Sequence, residues 1–503
     1  MTTPLPADVA ILGSGFGGSL TALLLHRIGL TPVLIDRGRH PRFAIGESST
    51  PVADLVLADL TRTYDLPRLR PLAKYGTWKA AYPDLRCGLK RGFSYFQHVP
   101  EEPFMPQSDH GNELLVAASS SDERSDTHWH RADIDAFFAA EVRREGIPFF
   151  EGATVAVAPH GDGWKIAGAG DDGPLVIEAA FLIDATGEAG MVLKALGLPR
   201  DTGRCLTRSR AIFAHFENVR PWSELLPAVT QPDHPFPCDN AALHQLLEEG
   251  WMWQLRFDAG IVSAGFAIDE AEHPLDASRP IEEEWHSLLD RYPSIAEQFA
   301  AARIVAPPGG LRRTGRLQRI APKIAGANWA LLPNAAGFID PLHSTGIAQT
   351  LCGVERLAAI LKQHWRRSTL PSELSAYERV LRHEFALVDM LVAGGYATRR
   401  IFPLFAAFSM LYFAAATTFE RRRQRSGSSP GAAFLCADDE ALRGIVARAW
   451  ERARQLTATG NPAADVVACF ERDLADAIAP FNHAGLFDPA AKNMYRHTAL
   501  PAD

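Results

Sequence analysis

The chain has 503 residues, 47% of them apolar and 22% charged, which is too long for one simple core and ordinary for a globular protein of several domains. A net charge of -8 gives no support to nucleic acid as a partner, because binding phosphates calls for a basic surface. The six cysteines (Cys87, Cys205, Cys238, Cys352, Cys436, Cys469) stand without close pairs. That spacing suits reduced thiols and argues against a disulfide frame or a zinc site; no metal is expected.

In chain order, "MTTPLPADVAILGSG" runs from a polar lead straight into a strand, with no basic region followed by a cleavable apolar one, so a cytoplasmic location is expected. "DVAILGSGFGGSLTALLLHRIGLTPVLIDRG" then reads as strand, glycine turn, helix, strand, a βαβ unit. Gly13, Gly15 and Gly18 form G-x-G-x-x-G, and Asp36 ends the second strand where a carboxylate can take ribose hydroxyls. The first glycine allows the turn, the second lets backbone approach a pyrophosphate, and the third lets helix and strand pack closely. "GAGDDG" (168–173) repeats the glycine spacing but leads into no helix, so a hairpin turn is expected there.

Alternation predicts further strands. In "KRGFSYFQH" it places Lys90 with Gly92, Ser94 and Phe96, opposite Phe93 and Tyr95; in "WMWQLRF" it places Trp251, Trp253, Leu255 and Phe257 together. "RAIFAHFENV" and "GIVSAGFAID" add strands, so the middle of the chain builds a second sheet. From about Gly353 onward the pattern is helical. The window 401–419 approaches membrane-span length but carries Pro403, Ser409, Thr417 and Thr418, so a buried helix is expected and not a span. "AASSSDERSD" (117–126) and "ERRRQRSGSSPG" (420–431) read as surface loops, the basic run in the second as solvated.

One fingerprint cannot separate NAD from FAD. "FLIDATGEAG" (181–190), "GFIDP" (337–341) and "HRADIDAFF", which contains Arg131, resemble the flavoprotein monooxygenase class, over most of residues 8 to 370. That resemblance implies FAD, with Arg131, Asp184, Gly187 and Asp340 in its site. It implies too that the helix after Pro341 points its positive end at the flavin ring. Because no second strand–glycine–helix unit is present to hold NAD(P)H, the reduced flavin is expected from a separate NAD(P)H-dependent flavin reductase.

Within that class the chain is most similar to the flavin-dependent halogenases. "GESSTP" (46–51), "GLKRGFSYFQH", "WMWQLRF" and "DPLHSTGI" carry the likeness. The family's corresponding signatures are W-x-W-x-I-P and D-P-L-x-S-T-G-I. The resemblance places Ser48, Gly346 and Ile347 at the flavin and gives Thr345 and Gly346 backbone N–H groups for chloride or bromide. Reduced flavin and O2 form a peroxide there, which halide opens to hypohalous acid. Lys90, as a haloamine or as a hydrogen-bond donor, then aims the halogen at a small aromatic substrate. A lysine serves in this way in an apolar pocket, where desolvation lowers its pKa.

Two departures bear on the substrate: Leu255-Arg256 replaces I-P, and His343 stands where tryptophan halogenases carry a Glu, which speaks against tryptophan. A phenol needs no such carboxylate, since its own oxygen can release a proton. His343 is either the base for that proton or a loop hydrogen-bonding group, and Glu47 is either a second acid/base or an organiser of backbone N–H groups. Phe93, Trp251, Trp253, Phe405, Phe408 and Tyr412 are the candidate substrate wall, with plain core as the alternative.

The expected fold is α/β: an FAD-binding Rossmann-like domain (1–75, 130–210, 315–370), an interleaved β-sheet substrate domain (76–129, 211–314) and a helical C-terminal region (371–503). The expected function is FADH2-dependent halogenation of an electron-rich, phenolic substrate. The rivals are a flavin hydroxylase, an isoprenoid double-bond reductase of the geranylgeranyl reductase type, and a flavin-binding protein without catalysis. A carrier-tethered substrate is not favoured, although Arg421 to Arg425 could supply a local basic patch.

Overall fold

The strand Leu5–Leu12 pairs in parallel with Gly173–Asp184 on one side and Pro32–Asp36 on the other, at the centre of a sheet completed by Trp329–Leu331 and Phe149–Glu151. The computed structural model describes residues 3–171, 173–199, 203–427, 430–458, 460–496 and 498. Val9, Ala10 and Ile11 are fully buried, as expected for a parallel strand covered on both faces. Antiparallel strands Thr154–His160 and Gly163–Gly170 extend this sheet. Gly170 pairs with Gly173 across the hairpin turn expected at "GAGDDG", whose Asp172 lies outside the described residues.

The second sheet has nine strands. Ser209–Glu217, Val262–Asp269, Gly250–Arg256 and Ala242–Leu246 run antiparallel in that order, and Gly92–Gln97 and Glu113–Ala117 follow. One segment is added from far away: Met494–Tyr495, in the region expected to be helical, pairs in parallel with Glu113–Ala117.

Two helical layers close the sheet. Trp285 and Phe299 cover one face by ring contacts with Phe216. The helix Phe402–Ser426 covers the other, where Phe93 meets Tyr412 and Phe413, and Tyr95 meets Phe405. Among the described residues this is the one helix long and apolar enough to cross a membrane, and 94% of its apolar window is buried inside the protein. Each large side chain it buries contributes about 1.5–3 kcal/mol, which explains its place in the core.

Two expectations need correction. The segment 420–426 is helical and not a loop, because the Phe402–Ser426 helix continues through it. Its arginines are engaged: Arg423 is buried on Glu355 and Asp59, Arg422 pairs with Asp439, and Arg421 meets His483. Lys90 also does not share a strand with Phe93. It ends a short strand, Cys87–Lys90, paired with Asp126–Trp129; a break at Arg91 precedes Gly92–Gln97. The break resets the alternation and brings Lys90 to the Phe93 face.

Candidate active site

The glycine loop is built by steric necessity. Gly13 has φ +98°, and a Cβ on Gly18 would stand 1.9 Å from the Gly13 carbonyl oxygen, so only glycine lets this helix meet this strand. The helix Phe16–Arg27 starts at Gly15 with no cap from that residue and no acidic residue in its first turn; Phe16 N donates across to Asp135 Oδ1 (3.1 Å), and the positive end of the helix dipole lies at the glycine turn. Asp36 accepts from Ser14 N (2.7 Å), Ser14 Oγ (2.8 Å), Gly38 N (2.7 Å) and Arg42 Nη2 (2.8 Å). Burial pushes this carboxyl up, but Arg42 and the Ser14 and Gly38 donors outweigh it and hold its pKa below the ordinary value. Asp36 is therefore ionised and ties the loop to the second strand.

Arg131 lies beside the same loop. It forks onto Asp135 (3.0 and 2.8 Å), donates to the Ile45 and Gly46 carbonyls, and lies over the Phe16 ring. Asp184 is fully buried; it accepts from Thr186 N and Oγ1 and from Val192 N, so both its oxygens shape the turn that contains Gly187.

At the opening of the Thr345–His364 helix, Ser344 adopts a left-handed conformation (φ 52°, ψ 34°) and redirects the chain into the helix. The first turn holds no acidic residue, Gly346 is exposed, and a Cβ there would meet nothing within 4 Å. The helix start expected to receive anion and flavin is thus open, while Thr345 and Ile347 beside it are buried. Ser344 Oγ lies 3.0 Å from Ser48 Oγ, which couples the helix start to "GESSTP".

Asp340 turns inward. It accepts from Ser209 Oγ (2.6 Å), Tyr396 OH (2.9 Å) and Leu342 N (3.1 Å), and Tyr396 OH in turn accepts from Trp251 Nε1 (3.1 Å). Burial pushes its pKa up to about 6 against the donors Ser209 and Tyr396.

Lys90 is fully buried. Its Nζ donates to the Ser49 carbonyl and lies 4.2 Å from the centroid of the Phe93 ring. Burial lowers its pKa to about 8, with Asp126 and Asp54 opposing. Phe93 stacks with Tyr95, Tyr95 with His244, and His244 leans on Trp251, next to Trp253. Tyr412 and Phe405 reach this group, whereas Phe408 packs on Gly394 at a helix crossing.

His343 stacks on Tyr412 (4.6 Å, 9°) and is buried; burial lowers its pKa to about 4 against the Leu391 backbone, so it is neutral at pH 7. Neither of its ring nitrogens, nor the Tyr95 hydroxyl, makes a well-directed hydrogen bond among the described residues. Glu47 goes elsewhere: its carboxylate lies 2.8 Å from His215 Nε2, and its carbonyl accepts from Trp129 N. Arg256, the replacement for proline, points off the Trp251/Trp253 face and braces Asp239 and the Val219 and Arg220 carbonyls.

The family model described as tryptophan halogenase matches residues 118–405, more than half the chain. The chain belongs to that family. This flavin-dependent halogenase is 30% identical over 390 residues to tetracycline 7-halogenase of Kitasatospora aureofaciens, covering 76% of this chain and 68% of the relative. Over 525 residues it is 26% identical to monodechloroaminopyrrolnitrin halogenase PrnC of Pseudomonas fluorescens, covering 98% of this chain and 90% of the relative. The crystal structure of halogenase PltM in complex with phloroglucinol and FAD matches with a TM-score of 0.84 and 25% identity, over 98% of this chain and 99% of that one.

The halogenase's own residues fit FAD. The Gly13–Gly18 turn excludes side chains where a pyrophosphate would be held, neither the Phe16–Arg27 nor the Thr345–His364 helix carries an acidic residue in its first turn, and Gly346 leaves open space at the second. Sequence reasoning missed Tyr396, Ser209, Tyr95 and His244. Tyr396, Ser209 and His244 meet their partners from distant segments and carry no local motif, and Tyr95, although it lies in a quoted motif, is brought to His244 only by the pairing of distant strands.

Proposed function

We propose that this halogenase uses Lys90 to direct the halogen onto a phenolic substrate bound in the aromatic group around it. Bound reduced FAD, with O2 and halide, supplies hypohalous acid when the cofactor is present. The chain's residues do the rest. Gly346 and Thr345 offer backbone N–H groups to the halide at the open helix start. The Gly46–Pro51 segment links that point to Lys90, through Ser48 to Ser344 and through the Ser49 carbonyl to Nζ. An amine with a pKa near 8 is poised to carry or hydrogen-bond the halogen at neutral pH.

One observation carries the phenolic reading: a fully buried lysine shares an aromatic enclosure with a Tyr95 hydroxyl and His343 ring nitrogens that lack well-formed bonds. A substrate hydroxyl satisfies such groups, and the neutral His343 can accept a hydrogen bond from it. The phloroglucinol bound by PltM is a phenol, which supports the same class. A similar brominase is named for a pyrrole held on a peptidyl-carrier protein. Engagement of Arg421, Arg422 and Arg423 within the chain supports a free substrate instead. A separate NAD(P)H-dependent reductase is the source of reduced flavin in this reading.

The test is incubation with FAD, a flavin reductase, NADH and bromide against phloroglucinol and other phenols, read by mass spectrometry. Replacement of hydrogen by bromine, lost in Lys90→Ala while NADH oxidation continues, is the expected result. Gain of one oxygen, or bromination by the Lys90→Ala protein at the wild-type rate and regiochemistry, would overturn it.

A further inference from the structure

At the far edge of the second sheet, His110, Glu113 and His234 bring one ligand atom each to within 4.8 Å of one another. We infer that they form a binding site for a zinc-class divalent ion, distinct from the halogenation site. Glu113 is fully buried and the His234 side chain is 3% exposed. Glu113 Oε2 and His234 Nε2 face each other at 3.5 Å, and neither has a hydrogen-bond partner among the described residues. Such a gap is too long for a good hydrogen bond. It matches the separation of neighbouring ligands, about 3.3–3.6 Å, around a tetrahedral ion with bonds of about 2.0–2.2 Å.

His110 Nδ1 lies 2.5 Å from Glu113 Oε1, and its Nε2, on the opposite edge of the ring, lies 3.5 Å from Asp233 Oδ2, a carboxylate placed to orient the imidazole from behind. Two imidazoles with carboxylate favour zinc over calcium or magnesium, which take oxygen ligands alone. An ion seated here replaces the direct His110–Glu113 contact, and its charge compensates a carboxylate otherwise buried between two imidazoles.

Position gives the site its consequence. The ligands come from the turn before the strand Glu113–Ala117, from its first residue, and from the residue that follows the Gln231–Asp233 turn. A cavity of about 530 Å³ touches Ser108, His110 and Asp233 and is otherwise lined by the C-terminal segment, including Lys492 and Tyr495. Asn493 Nδ2 donates to the His110 carbonyl. A bound ion therefore clamps two loops next to the Met494–Tyr495 strand, much as a crosslink would.

Full-length protein, stripped with chelator and dialysed, is titrated with Zn2+ and separately with Co2+. The expected result is one equivalent bound, a melting temperature that rises with Zn2+, and the intense visible bands of four-coordinate Co2+. Glu113→Gln and His234→Ala should each weaken binding by about tenfold or more without changing FAD content. Absence of both binding and a melting shift in the wild-type protein would overturn the inference even if the variants fail to fold. So would variants that bind as tightly as the wild type.

Discussion

The Lys90 Nζ lies 4.2 Å from the centroid of the Phe93 ring, and the two carboxyls that favour its charge, Asp126 and Asp54, are themselves buried and paired with Lys74. Such a lysine costs stability in order to serve chemistry. Its pKa is about 8 when folded and 10.5 ordinarily, so below pH 8 the fold carries the whole cost of burying the cation, roughly 3 kcal/mol. Between pH 8 and 10.5 the unfolded chain binds the extra proton, so wild-type stability rises with pH. Lys90→Met should therefore melt higher than wild type at pH 7, with the gap closing towards pH 10. Bromination should fall by about a hundredfold or more. Denaturation at the two pH values checks the first claim, and a Lys90→Met protein less stable than wild type at pH 7 contradicts it.

The two glycines at the anion seats should behave oppositely. Gly18→Ala forces a Cβ to 1.9 Å from a backbone oxygen and should cost about 3 kcal/mol or more, with loss of FAD. Gly346→Ala meets nothing and gains helix propensity of up to about 1 kcal/mol, so the fold should hold. Its methyl group nevertheless enters the space assigned to halide and flavin, and the KM for bromide should rise. A Gly346→Ala protein with unchanged bromide KM argues against a halide at this helix start.

Tyr396 joins the tryptophan signature to the Asp340 loop, since it donates to Asp340 and accepts from Trp251. Tyr396→Phe removes a donor that favours ionised Asp340 and strands the Trp251 N–H, at a cost of about 1–3 kcal/mol. Asp340 is raised to about 6, so the folded state holds its proton between about pH 4 and 6 and loses stability as pH rises through that window. The Tyr396→Phe deficit should therefore be larger at pH 8 than at pH 4.5. Equal deficits would separate Tyr396 from the Asp340 charge.

His343 is lowered from 6.5 to about 4, so the unfolded chain takes up a proton that the fold refuses, and its contribution to stability is lost as pH falls from 6.5 to 4. His343→Phe keeps the stack on Tyr412 and should soften acid destabilisation in that window, while turnover of phenols falls. Calorimetry at pH 4.5 and 7 tests this, and an unaltered acid limb would contradict it.

Segments of ten or so residues sufficed to determine the βαβ glycine turn, Asp36, the open helix start at Thr345 and Gly346, and the shared face of Trp251 and Trp253. Each rests on local sterics or periodicity: a left-handed turn, an uncapped helix end, side chains alternating along a strand. The burial of 402–419 was readable from composition for the same reason. Tertiary structure alone decided which groups face one another. The break at Arg91 turned Lys90 onto Phe93, Glu47 met His215, Arg423 left solvent for Glu355, and His110 and Glu113 met His234. All but the first join segments 68 to 168 residues apart, where the packing of whole layers sets the distance between side chains and no short-range pattern records it.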